Sequence, residues 1–228
     1  MTRPPSALGA AVQWTLVATA YALPLVVLPG WVADAVEGPK LAWLALATAL
    51  LGGIALARVL LWREPAWPAT PLVLPLLTFA AWAGAAALGA EARAPAAEAF
   101  LYLTALVTTA LLAASASDRE GLAHALLTAA AIVALYGLGQ YVGFEPLPWA
   151  SHFKPRIFAT LGNPVFLGGF MAVAFPLAFA RWLTAEREET KDLLTLLLGA
   201  LGLACYLTWT RGSWLAVKRL WRCHPWGG

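Results

Sequence analysis

The chain has 228 residues, 61% of them apolar and only 12% charged, with a formal net charge of +3. Soluble domains run near 45–50% apolar and about 25% charged, so this composition excludes a water-soluble domain, and it has far too much apolar surface to stay disordered. Three net charges spread over the whole length are no electrostatic footprint for nucleic acid. What remains is an integral membrane protein.

A bilayer core of about 30 Å takes roughly 20 apolar residues of helix. Stretches free of Asp, Glu, Lys and Arg run Pro4–Ala33, Leu41–Ala57, Pro65–Ala90, Ala99–Ser117, Gly121–Phe144, Ile157–Ala180 and Leu193–Thr210. They predict about seven spans in an all-α, polytopic transmembrane helix bundle, because lipid obliges backbone groups to be satisfied within each segment. The alternating ~10-residue segments of a membrane barrel are absent. The first run is read as a retained helix kinked at Pro24. Its basic region is Arg3 alone, and its apolar stretch is too long for a signal peptide.

Short connectors with turn chemistry separate the runs: Glu37-Gly38-Pro39-Lys40, Arg63 to Pro68, Ser117 to Gly121, and the charged Glu186 to Asp192. Trp31, Trp62, Trp67, Trp149, Trp182 and Trp209 fall near span ends, as an interfacial belt does. Counting basic residues on alternate sides puts Lys40, Arg93, Lys154, Arg156 and Arg211 opposite the larger set, which favours a cytoplasmic N-terminus. Lys154, Arg156 and Arg211 then cluster on the outward side, where topology alone calls for no positive charge. Gly52-Gly53, Gly168-Gly169, Gly199 and Gly202 lie inside spans and are read as helix-packing positions.

Much chemistry is missing. Cys205 and Cys223 form neither a zinc nor a redox pair, and His124, His152 and His224 lack metal-ligand spacing. No phosphate-binding glycine loop or nucleophile elbow is present, and no acidic residue sits within a span to relay protons or cations. No metal and no cofactor are expected.

The longest connector, Glu145 to Arg156, runs into Ile157 through Gly169. Asn163 before Pro164 is a helix start, with Asn as N-cap and Pro at the first helical position. It is either a plain cap or the positive end of a helix aimed at an anion. Arg156 is either an interfacial anchor or a bidentate phosphate ligand. Arg211, directly after the seventh run, poses the same choice.

Two elements here carry a family resemblance. Arg156–Gly169 (R-I-F-A-T-L-G-N-P-V-F-L-G-G) resembles the Arg-x-x-(Gly/Ala)-Thr-x-Gly-Asn-Pro-Asn element of the O-antigen ligase and Wzy-type polymerase superfamily. Thr208–Trp214 (T-W-T-R-G-S-W) resembles that superfamily's Thr-x-Ser-Arg-Gly element. The match covers about residues 153–216, with Gly38-Pro39-Lys40 a fainter echo. The resemblance implies a GT-C-like glycosyltransferase membrane domain in the bacterial inner membrane, in cell-envelope polysaccharide and lipopolysaccharide biosynthesis. Such an enzyme moves a glycan from an undecaprenyl-diphosphate carrier to a lipid or glycan acceptor, with inversion and without a metal. Carried over, Arg156 and Arg211 would be catalytic, gripping the diphosphate and stabilising the leaving group, while Lys154, Asn163 and Thr210 would bind substrate.

Val165 stands where the family often has a second Asn, and Thr210 replaces a Ser while keeping the hydroxyl. The family continues with further spans and a His-bearing loop. Here residues 1–216 read as the transmembrane domain and 217–228 as a divergent basic tail, with Lys218, Arg219 and Arg222 too costly to span. The expectation is a shortened ligase-like chain, inactive on its own. The alternatives are an anion transporter, since some relatives are linked to bicarbonate accumulation, and a membrane protein that binds carrier lipid without turnover.

Overall fold

The computed structural model describes residues 7–29, 35–62, 71–114, 116, 118–149 and 156–222. Among these residues there are helices and turns and no strand. In chain order the helices are α1 (Ala7–Ala22), α2 (Glu37–Trp62), α3 (Val73–Leu88), α4 (Arg93–Ala114), α5 (Arg119–Tyr141), α6 (Pro164–Thr184), α7 (Glu188–Leu207) and α8 (Arg211–Arg222), with a 3-10 turn at Ala159–Leu161 before α6. Five of them are long and apolar enough to cross a membrane: α2, α4, α5, α6 and α7.

The third apolar run differs from expectation: it appears as the 16-residue helix α3, about 24 Å long at 1.5 Å per residue and short of a 30 Å core. In the first run, α1 is described from Ala7 onward. Pro24 does not kink α1; the helix stops at Ala22, and the amides of Leu25 and Val26 both close on the Ala22 carbonyl. A residue preceding proline is pushed out of the helical region, so Leu23 is a natural stop. The sixth helix begins at Pro164, where the Asn163-Pro164 pair places it, and residues 157–163 form the turn that leads into it.

The chain divides into two compact units, Met1–Thr19 with Leu41–Leu122, and Ala20–Lys40 with Ala123–Gly228. The first unit has a core of Val12, Leu16, Leu51, Ile54, Leu112 and Ala116. Within it α3 and α4 pair, and Phe100 lies so close to Gly84 that a methyl there would meet its ring at 3.1 Å.

The second unit holds α5–α8. Its core is rich in small residues: Ala130, Ala134, Ala159, Ala174, Ala178 and Ala204 are wholly buried, around Leu167, Met171 and Leu201, with Leu127, Val133, Ile157 and Leu207 also in the cluster. Other large apolar side chains face outward, among them Leu135, Phe166, Val173, Leu196 and Leu203. Lipid tails are as apolar as leucine, so close backbone approach rather than water exclusion holds such helices together. Most glycines expected to do this do not. A side chain at Gly52, Gly53, Gly169 or Gly199 would meet open space. Gly168 does pack, against Ser213 and Thr208, and Gly202 lies near Phe175.

Local chemistry sets the ends. Asp118 caps α5, its Oδ1 accepting from Gly121 N at 2.7 Å. Acidic Glu188 and Glu189 occupy the first turn of α7 and complement its dipole. The first turn of α8 tracks that of α6, with Thr210 beside Pro164 and Ser213 beside Gly168. α8 runs unbroken across residues 216 and 217.

Candidate functional site

The Arg156–Asn163 segment is a tight, largely buried turn; Ile157, Phe158, Ala159 and Thr160 are all buried. Two residues have left-handed backbone, Ala159 at φ 48° and Gly162 at φ 70°. Gly162 is required twice over, since a Cβ there would also sit 2.6 Å from Val36 Cγ2. Asn163 then caps α6 as expected, its Oδ1 accepting from Val165 N at 2.8 Å with Pro164 at the first helical position.

The second element forms where α7 ends. Thr208 is wholly buried, and its hydroxyl donates to the Cys205 carbonyl at 2.7 Å. Trp209 takes a left-handed conformation, φ 53°, which reverses the chain so that α8 starts at Arg211. Trp214 Nε1 donates back to the Cys205 carbonyl at 3.2 Å, closing the corner.

The two elements meet through one side chain. Arg156 Nε donates to the Thr208 carbonyl at 2.8 Å, and its Nη2 donates to Thr210 Oγ1 at 3.4 Å. Thr210 Oγ1 lies 3.3 Å from the Pro164 carbonyl, to which it donates. Ile157 N donates to the Leu207 carbonyl at 3.4 Å. Arg156 is half-buried, and these are its partners among the described residues. A guanidinium carries five N–H donors, so most of the fork is left for another acceptor.

A third segment joins this end of the unit. Lys40 Nζ donates to the carbonyls of Val26 at 2.6 Å and Thr160 at 2.9 Å, and Thr160 Oγ1 donates to the Pro24 carbonyl at 2.7 Å. The stretch from Pro24 to Lys40 is thereby tied to the turn that carries Arg156. A fourth tie comes from α5: buried Gln140 accepts from Ala159 N at 2.7 Å and Phe158 N at 3.4 Å. Its amide donates to Glu145 Oε1 at 2.9 Å and Oε2 at 3.2 Å, and Tyr136 donates to Oε1 at 2.7 Å.

Of the residues singled out in the sequence, Arg156, Asn163 and Thr210 come together at the start of α6. Arg211 opens α8 with its side chain exposed and no hydrogen-bond partner among the described residues. Lys154 lies outside the described residues. Lys40, marked only as an echo of the family, proves to be tied into the turn. Gln140 was not singled out, although it is an isolated polar residue late in the charge-free run Gly121–Phe144. Among the described residues no group of three His, Cys, Asp or Glu is placed to hold a metal.

Comparison with known proteins assigns no family. No family model matches the chain, and no solved structure does. A protein of Novosphingobium aromaticivorans named "Putative membrane protein insertion efficiency factor" is 78% identical over 18 residues, which are 8% of this chain and 26% of that protein. The chain thus spans about a quarter of that relative. Its class is set by the helices: among the described residues it is all-helical, with five helices long and apolar enough to cross a bilayer.

Proposed function

We propose that this chain is a multi-pass bacterial inner-membrane protein of the O-antigen ligase and Wzy-type polymerase kind, with a cytoplasmic N-terminus and a GT-C-like bundle. The end of its second unit, where α6 and α8 begin, binds the diphosphate of an undecaprenyl-linked glycan. The observation that supports this is the bonding of Arg156, from the first resembling element, to Thr208 and Thr210 of the second. A half-buried guanidinium keeps its charge and can present the rest of its fork to a phosphate. Arg211, exposed at the start of α8, supplies a second cation from the same element. In glycan transfer these charges would stabilise the diphosphate as its bond to the sugar breaks, which is electrostatic stabilisation of the leaving group. The acceptor is a lipid or a second glycan. The described residues support the binding of the carrier, and the base that would activate the acceptor is not among the residues gathered at Arg156.

The test is binding of undecaprenyl diphosphate to the purified chain in nanodiscs, against undecaprenol as the uncharged control. Selective binding that Arg156→Ala removes supports the reading. Equal binding of both lipids overturns it, and uptake of bicarbonate by proteoliposomes would favour the anion-transporter alternative instead.

A further inference from the structure

Phe158 and Ala159 have successive backbone conformations of φ −134°, ψ −14° and φ 48°. Phe158 lies outside the helical region and Ala159 is left-handed, and their adjacent N–H groups turn toward one acceptor. That acceptor comes from within the protein. Gln140 Oε1 lies 2.7 Å from Ala159 N and 3.4 Å from Phe158 N. At its other end the Gln140 amide donates to both oxygens of Glu145, whose carboxylate also accepts from Tyr136. Trp149 Nε1 donates to the Tyr136 hydroxyl at 2.8 Å, and the Trp149 ring meets Phe158 edge-on at 5.3 Å.

We infer that Glu145 and Gln140 form a polarised clamp that positions Arg156. The exposed carboxylate pulls on the N–H groups of buried Gln140 and makes its amide oxygen a stronger acceptor, as hydrogen bonds in series polarise one another. That oxygen holds the strained Ala159 backbone, which has no glycine to relieve it. Ala159 is three residues from Arg156, and the intervening Ile157 is fixed to α7 through the Leu207 carbonyl. Glu145 thus acts on the site from a distance: it neither contacts the guanidinium nor carries the proposed ligand. Its function is to keep the turn in the one conformation that aims Arg156 at Thr208 and Thr210.

The clamp has a direction, acid outside and amide inside, and this gives a test that a general packing role would fail. Full-length protein in nanodiscs is followed by hydrogen exchange of the 157–161 amides. Gln140→Glu sets two carboxylates face to face and should raise that exchange by roughly tenfold; Glu145→Gln, which weakens the pull, by roughly threefold. The swapped double variant Q140E/E145Q restores an acid–amide pair with two backbone N–H groups on a carboxylate, and should return to within about twofold of the parent. A swap no better than Q140E overturns the clamp. If Q140E does not fold, Glu145→Leu carries the test alone, and unchanged exchange overturns the inference.

The lipid readout rests on the proposed function. Affinity for undecaprenyl diphosphate should fall and recover in step with the exchange, and in an Arg156→Ala background the clamp variants should change it no further. If the parent protein binds no diphosphate lipid, the functional reading fails while the exchange data still judge the clamp.

Discussion

The two units are built from the same alphabet of Ala and Leu, yet they are held by different means. In the first, among the described residues, the polar ties between distant segments are long at Thr48 and short only at Gln13. Thr48 lies 3.5 Å from the Ala105 carbonyl and 3.4 Å from Thr109 Oγ1, and Gln13 exchanges hydrogen bonds with the backbone of Asp118 at 2.8 and 3.3 Å. α3 buries no residue at all. In the second, Arg156, Lys40, Thr160, Thr210 and Gln140 each bond to backbone well outside their own helix or turn, most at 2.6–2.9 Å. Where lipid removes the water-driven preference for one helix pairing over another, such polar ties choose the geometry. The unit that has them is the unit in which the diphosphate site is proposed.

The sharpest way to break this comparison is at Arg156. Arg156→Ala should lower affinity for undecaprenyl diphosphate by roughly tenfold or more, the scale of a charge-assisted hydrogen bond in a half-buried site. Arg156→Lys should recover little of it, because an ammonium cannot hold the Thr208 carbonyl and Thr210 while facing a phosphate. Isothermal binding in nanodiscs reads both; full affinity of the Lys variant would reduce Arg156 to a point charge.

Gly168 comes next. A branched side chain there meets Ser213 and Thr208, so Gly168→Val should cost about 1–3 kcal/mol by overpacking and displace α8. Gly169→Ala, one residue on and facing open space, should be nearly neutral. Thermal unfolding of the two in one detergent separates a real contact from a mere glycine preference. Equal losses would mean that the α6–α8 contact does not decide, since helix propensity favours both replacements over Gly.

These glycines also show how far the sequence could be read. Asn163 and Pro164 were legible because a cap is local: donor, acceptor and proline lie within three residues. Arg156 and Thr210 were legible only as members of two motifs, and their meeting depends on how α7 turns at Trp209. Gln140 and Lys40 left only faint signals, an isolated polar residue in a charge-free run and an echo of a motif, since their partners are backbone groups 19 and 120 residues away, and any residue type carries those. The packing role given to Gly52, Gly53, Gly169 and Gly199 fell to alanines instead. Composition cannot tell which small residue on a helix faces a neighbour and which faces lipid. The shortness of α3 was hidden because a charge-free run is an upper limit on a helix, and α1 likewise ends at Ala22, well inside its run.

A smaller effect is expected where the Pro24–Lys40 stretch is tied down. Lys40→Met removes the donor to Val26 and Thr160, and Thr160→Val removes the donor to Pro24. The first leaves two carbonyls short of a partner and the second one, and each variant should cost about 1–2 kcal/mol, less than a buried N–H would, because carbonyls tolerate under-satisfaction better. Hydrogen exchange should rise in residues 24–29 and 35–40 in both variants while α6 and α7 stay protected. Loss of protection throughout the second unit would mean the ties hold the whole bundle rather than one segment.

The least effect belongs to the first unit. Thr48→Val is close to isosteric and exchanges a hydroxyl for a methyl. The bonds it removes are near the outer limit for O–H donors, and a helical threonine always has its own i−4 carbonyl as an alternative partner, so the hydroxyl adds little to the pairing of α2 with α4. The expected change is under about 0.5 kcal/mol in thermal unfolding, within the range of an unremarkable substitution. The same exchange at Thr210 removes both the acceptor of Arg156 and the donor to Pro164, and should be several-fold costlier. If Thr48→Val instead proves as harmful as Thr210→Val, the long ties of the first unit are stronger than their geometry allows, and distance ceases to separate the unit that is fastened from the unit that is merely packed.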